Sequence, residues 1–220
     1  VNRENLLLRP DPALYRDALQ QDPTRPVFIC SGQREHDHAR SGDVHTYYGA
    51  IWSRRFTDVY HHPARLNTEF GFEAPADSRT LRTWPDLWQR TRHLVARTPR
   101  LWDYQAELTR FHVEYYRRLR FAPCGGYVHF LLADLAPGVG CGALDAVRQS
   151  KGGYDALKQA SQPVHFFMEH DGKRPIALWA VNDRPRELQG LTAAWQVLDE
   201  RGQTVLEGQQ NLDLPAGTLL

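Results

Sequence analysis

The sequence predicts an α/β chain in two parts, a parallel α/β segment over residues 1–162 and an antiparallel β-sandwich segment over residues 163–220. Three observations carry this. Up to Gln162 the order reads helix, strand, loop, strand, helices, strand, helix, the alternation from which parallel sheets are built. "PVFICS" is an unbroken apolar run closed by Ser-Gly, the form of a strand covered on both faces. From Pro163 the helical period disappears, and short alternating runs separated by turn residues replace it.

In chain order, Pro10 and Pro12 precede "ALYRDALQQ", whose Leu14, Tyr15 and Leu19 make a short amphipathic helix ending near "DPTRP". After the "PVFICS" strand, "GQREHDHARSGD" is too polar for a core and reads as a loop that leads into "VHTYYGAIW". "ARLNTEF" is the next buried strand. Pro75 and Asp77-Ser78 then announce a helix carrying Leu81, Trp84, Leu87, Trp88 and Leu94. "LWDYQAELTRFHVEYYRRLRF" is the clearest helix, with Leu101, Leu108, Phe111, Tyr115 and Leu119 at spacings that favour one face, and it stops at Pro123. "GGYVHFLLADL" is β-like and "GGYDALKQA" helical. "PVHFFMEHDG", "PIALWAVNDRP", "LTAAWQVLDERG" and "TVLEGQQNLDLPAG" follow as strands divided by Asp-Gly, Asn-Asp and Arg-Gly turns, four where a full sandwich uses about seven.

Composition narrows the function classes. Twenty-seven basic residues against 26 acidic ones leave no global field to recruit nucleic acid or an anionic membrane, so the expected partner is small and neutral, or another protein. No apolar run approaches the roughly 18 residues of a membrane span, and the first residues lack a signal-peptide layout. The expectation is a soluble chain, cytoplasmic rather than secreted. Cys30, Cys124 and Cys141 are too few and scattered for a disulfide scaffold and read as buried thiols. Glu35, His36, Asp37 and His38 cluster, but without a third ligand at fixed spacing they read as a solvated loop. "PGVGCG" lacks the basic residue and helix of a phosphate loop. Aromatics at 11%, several in polar company, suit either a core or the C–H face of a sugar.

The chemistry-bearing position is Glu69, inside "LNTEFGFEA" between Leu66, Phe70 and Phe72. Burying an unpaired carboxylate costs several kcal/mol, so Glu69 either pairs with Arg65 or Arg55 at the surface or sits where its strand opens into a polar pocket. Parallel α/β barrels place functional residues at such carboxyl ends of strands. Glycosidic chemistry needs a second carboxyl, about 5 Å away in retaining enzymes. Glu4, in "VNRENLLL", is the candidate, its competing reading being a helix-flanking charge.

At this point "SGDVHTYYG", followed by "ARLNTEFGF", resembles the Gly-Asp-Val-His and Ser-Glu-Phe/Tyr-Gly-Phe/Tyr motifs of glycoside hydrolase family two, in its β-mannosidase-like branch. "GGYVHFLLADLAPGVGCGALDAVRQSKGGYDALKQ" is similar to the layout of the family's last barrel strand and helix. The resemblance implies the second half of a (β/α)8 TIM barrel followed by part of an immunoglobulin-like β-sandwich, the remainder of a longer polypeptide supplying the rest. It implies retaining hydrolysis of terminal β-linked sugars, a carbohydrate substrate and no cofactor. Carried over, Glu69 is the nucleophile and Glu4, with Asn5 after it, the acid/base. His45, Tyr47 and Tyr48 would line the mouth of the site, and Asn67, two residues before Glu69, would share its side and hydrogen-bond it.

The family pattern is also broken. Arg3 stands where an Asn precedes the acid/base, and the last strand carries Phe130, Ala133-Asp134, Ala136-Pro137 and Gly140-Cys141 in place of three indoles and an amide. Phe130 and Asp134 are the substrate contacts expected from that strand. The substitutions imply an atypical substrate or a catalytically degenerate, carbohydrate-binding or scaffold relative.

Overall fold

The computed structural model describes residues 12–27, 43–51 and 53–220. Residues 28–31 of the expected "PVFICS" strand, the His-rich loop up to residue 42, Cys30 and Glu4 lie outside these residues. The chain divides into two compact units, one ending at Ala160 and the other spanning Ser161–Leu220.

In the first unit, helix α1 (Pro12–Gln21) precedes strand β1 (Val44–His45) and a 3-10 turn (Phe56–His61). Strands β2 (Leu66–Phe70) and β3 (Ala74–Pro75) follow, then helices α2 (Ser78–Arg82) and α3 (Pro85–Thr91) and a second 3-10 turn (Arg92–Arg97). Helix α4 (Thr98–Arg118), strands β4 (Gly126–His129) and β5 (Val139–Gly140) and helix α5 (Gly152–Ala160) complete it. β1, β2 and β4 form one sheet in that order, both pairings parallel. The helix expected over 77–94 is broken because Trp84, ahead of Pro85, is held extended and Pro85 restarts a helix as its first residue.

The core of this unit lies between the sheet and α4, where Phe70 and Phe72 meet Leu108, Phe111, Val113 and Tyr116. Each such side chain contributes about 1.5–3 kcal/mol by leaving water. Polar ties lock α4 to the loops: Gln105 donates to Phe72 O at 2.8 Å and accepts from Gly153 N–H at 3.0 Å. Trp102 donates its indole N–H to Pro75 O at 2.8 Å.

The second unit contains β6 (Val164–His170), β7 (Pro175–Asn182), β8 (Leu188–Leu198), β9 (Thr204–Leu214) and β10 (Thr218–Leu219). They form antiparallel sheets of order β10-β7-β6 and β8-β9. The turn residues act as their chemistry requires. Asp171 and Asp199 each accept main-chain N–H bonds from residues two to four further on, and Gly172 and Gly202 take positive φ at 88° and 74°. Asn182, fully buried, donates to Arg186 O, Leu214 O and Pro215 O, tying the ends of β7 and β9.

Candidate functional site

The site follows from strand register. β1 runs parallel to β2 with His45 opposite Glu69, and Thr46 N–H donates to Glu69 O at 2.9 Å. Successive side chains of an extended segment alternate between faces. His45 and Tyr47 therefore turn to one side and Thr46 and Tyr48 to the other. On the first side, the Tyr47 hydroxyl donates to Glu69 Oε1, and His45 Nδ1 lies 2.8 Å from Oε2, an ion pair when the ring is protonated though not aligned as a hydrogen bond. One carboxylate oxygen is thus hydrogen-bonded and the other flanked by an imidazole at the carboxyl end of a parallel strand. Glu69 keeps 22% of its side chain exposed, so the group is clasped without being sealed off. The surface pairing with Arg65 or Arg55 is not what the structure shows; Arg55 pairs with Asp58 at 3.5 Å.

Burial raises the Tyr47 phenol above its ordinary range, and the bond to Glu69 and the charges of Glu69, Cys141 and Glu73 raise it further. The hydroxyl therefore stays a donor at any physiological pH. Burial, then Glu73, push the Cys141 thiol up to about 12, with smaller contributions from Asp134 and Glu69 opposed by Lys151. Glu73 and Cys141 belong to the same electrostatic neighbourhood, and sequence reasoning missed both. The signal for Glu73 was its position on the "EFGFEA" continuation of the Glu69 strand; nothing in the local sequence marked Cys141, which is partly exposed rather than buried.

Three of the expected substrate contacts sit elsewhere. Tyr48, on the opposite face of β1 from Tyr47, stacks on His62 with ring centroids 5.1 Å apart and belongs to the core. Asn67 is fully buried, because the β2–β4 register slips between Asn67 and Phe70 and breaks the alternation that would have put it beside the Glu69 carboxylate. Its amide donates to Thr46 Oγ1 at 2.6 Å and Tyr116 Oη at 2.5 Å, while its oxygen accepts from the Glu69 main-chain N–H at 3.0 Å. Asn67 thus bonds residue 69 through the backbone, positioning the strand end from below. Asp134 faces inward: Oδ2 is 2.7 Å from Lys151 Nζ and Oδ1 accepts from Gly142 N–H at 2.7 Å. The buried Lys151 ammonium also donates to Gly140 O at 2.8 Å and Ala74 O at 3.1 Å, so this pair ties the loop after β4 to β3.

Phe130 lies at the same end of the sheet as Glu69. Its N–H donates to Phe70 O at 2.7 Å, continuing the β2–β4 ladder one step beyond His129, and its side chain is 39% exposed. Glu4 lies outside the described residues. Among the described residues no three His, Cys, Asp or Glu side chains are grouped to hold a metal ion, and no helix is long and apolar enough to cross a membrane.

Fold and site together define an α/β chain with a carboxylate clasped by Tyr and His at the end of a parallel strand. Solved structures similar to it in fold include a β-D-mannosidase and an exo-chitosanase. The chain is similar to the β-D-mannosidase of Dictyoglomus thermophilum, at 17% identity and a TM-score of 0.68, over 93% of this chain and 29% of that one. It is similar also to the exo-chitosanase CsxA of Amycolatopsis orientalis, at 17% identity and a TM-score of 0.55, over 70% of this chain and 23% of that one. Both belong to glycoside hydrolase family two, the family whose motifs the sequence resembles. At such identities the likeness is one of fold, and the chain spans less than a third of either neighbour. No family profile matches the chain, and no curated protein matches it.

Proposed function

We propose that this chain is the part of a retaining, exo-acting β-glycosidase of β-mannosidase type that carries the nucleophile, within a longer polypeptide that completes the barrel and the sandwich. The observation that carries the proposal is the clasp on Glu69, with Tyr47 on one oxygen and His45 beside the other, at a strand end. In this reading a Glu69 oxygen attacks the anomeric carbon of a terminal β-linked sugar while Glu4 protonates the departing glycosidic oxygen. The resulting glycosyl ester is opened by water that Glu4 deprotonates, and Glu69 leaves as the carboxylate. Tyr47 and His45 fix the carboxylate's orientation before the reaction, so little of that ordering remains to be done in the transition state. Phe130 offers an apolar face at the rim.

The test is nitrophenol release from a panel of nitrophenyl β-glycosides by the full-length protein, with Glu69→Gln as the comparison. Turnover abolished by that one change supports the proposal; turnover that survives it removes Glu69 from the mechanism. A second reading, a carbohydrate-binding relative without turnover, draws on one observation: Asp134 is committed to Lys151 and adds nothing to the cleft. Sugar binding with no hydrolysis of any glycoside in the panel would favour it.

A further inference from the structure

A cavity of about 470 Å3 in the first unit shares no residue with the Glu69 cluster. It is lined by Asp77, Arg79, Thr80 and Thr83, by Val147, Gln149 and Ser150, and by Trp102. Its shape is fixed by one buried carboxylate. Asp145 accepts from Thr80 Oγ1 at 2.6 Å with one oxygen, and from Val147 N–H at 3.0 Å and Gln149 N–H at 2.9 Å with the other, pinning the two walls together. Between those two amides Arg148 is held at φ 72°, a left-handed conformation that a non-glycine residue takes only when its surroundings impose it. The Trp102 ring is fixed by its bond to Pro75 O, and α5 begins so close that a Cβ on Gly152 would meet Trp102 O at 2.0 Å.

Thr80, Thr83 and Asp77 spend polar atoms on local bonds, but three polar side chains of the walls do not. The side chains of Arg79, Gln149 and Ser150 are exposed and bond to no other described residue. They offer a planar fork of donors, an amide that both donates and accepts, and a hydroxyl, beside the apolar surface of Trp102 and Val147. Asp77 places a carboxylate in the same cavity, which opposes a dianion beside Arg79. An aromatic wall with planar donors and acceptors around it, in a cavity of small-molecule size, matches a pyranose ring, which has an apolar C–H face and a rim of hydroxyls. We propose that this cavity is a second saccharide-binding site, one that takes a neutral hexose unit separately from the Glu69 cleft; it rests on the glycosidase reading only for the choice of ligands to try.

The test is calorimetric titration of the full-length protein carrying Glu69→Gln, which cannot consume the ligand, with β-linked mannobiose, with cellobiose and, separately, with inorganic phosphate. Arg79→Ala and Gln149→Ala are added in turn; both side chains are exposed, so unchanged thermal unfolding checks that the fold is kept. The expected result is disaccharide binding weakened about tenfold by either change, with no response to phosphate. Disaccharide affinity that ignores both substitutions, absence of disaccharide binding, or preferential binding of phosphate would each overturn the proposal. The two readings fail separately: Glu69→Gln abolishing turnover while Arg79→Ala leaves affinity unchanged removes this site and keeps the glycosidase.

Discussion

Removing the Tyr47 hydroxyl isolates the clasp on Glu69. Tyr47→Phe keeps a ring that is only 6% exposed and deletes the atom that donates to Oε1. A hydrogen bond to a charged acceptor contributes about 1.5–3 kcal/mol. Because the Glu69 side chain is 22% exposed, water takes up part of the freed capacity and the lower part of that range applies. The expected loss is roughly 1.5–2 kcal/mol, or about 10- to 30-fold. Under the proposed mechanism it should fall on kcat and kcat/KM together, since the bond would matter most when the carboxylate is aligned on the anomeric carbon. Initial rates of nitrophenol release by the full-length protein measure it, and Tyr48→Phe is the comparison. Tyr48 has the same chemistry one residue away but packs in the core, so its substitution should leave kcat within twofold of the parent. Equal losses in the two variants, or no loss in Tyr47→Phe, would refute the assignment of faces along β1.

Lys151→Met leaves the Asp134 charge buried without its partner; stability should fall by about 3–5 kcal/mol, lowering the unfolding midpoint by on the order of 10 °C, and Asp134→Leu in the same chain should restore most of it. An unchanged midpoint would contradict the burial of this pair. His112 and His129 are both held at about 4, chiefly by burial, below the ordinary 6.5. The unfolded chain therefore takes up these protons first as pH falls, so stability present above pH 6.5 is lost toward pH 4. Urea unfolding at stepped pH should show a decline of about 1.4 kcal/mol per unit for each histidine, reduced in His112→Gln; a flat profile would contradict it. A Cβ on Gly71 would stand 1.9 Å from Phe130 O. Gly71→Ala must therefore push β2 and β4 apart where the site is built, costing about 1–3 kcal/mol in denaturant titration together with turnover.

The fold was legible wherever one periodicity ran long enough. α4 declares itself through Leu108, Phe111 and Tyr115, and β6 to β9 through alternation broken by Asp-Gly and Arg-Gly turns. β1 carries no assignment in the sequence because two residues of strand among Thr and Tyr show no pattern, and only pairing with β2 defines them. β10 is equally short and rests on β7. At the site, Glu69 stood out as a carboxylate among aromatics, and His45 and Tyr47 follow from alternation once β1 is known to be extended. Alternation also excludes Tyr48, which is evident only once "HTYYG" is known to be extended. The inward turn of Asn67 depends on a register slip, and the engagement of Asp134 on a lysine 17 residues later in the chain; both are tertiary facts with no local signature.

The proposed role of Glu69 as nucleophile is open to direct observation. A 2-deoxy-2-fluoro glycoside with a good leaving group slows both steps of a retaining hydrolase and lets the glycosyl ester accumulate. Incubated with the full-length protein and digested, it should add one fluorosugar to the peptide spanning residues 66–74, with the mass fixed on Glu69 and none in Glu69→Gln. A label on another carboxylate, or steady turnover with peptide 66–74 unmodified, would contradict the account.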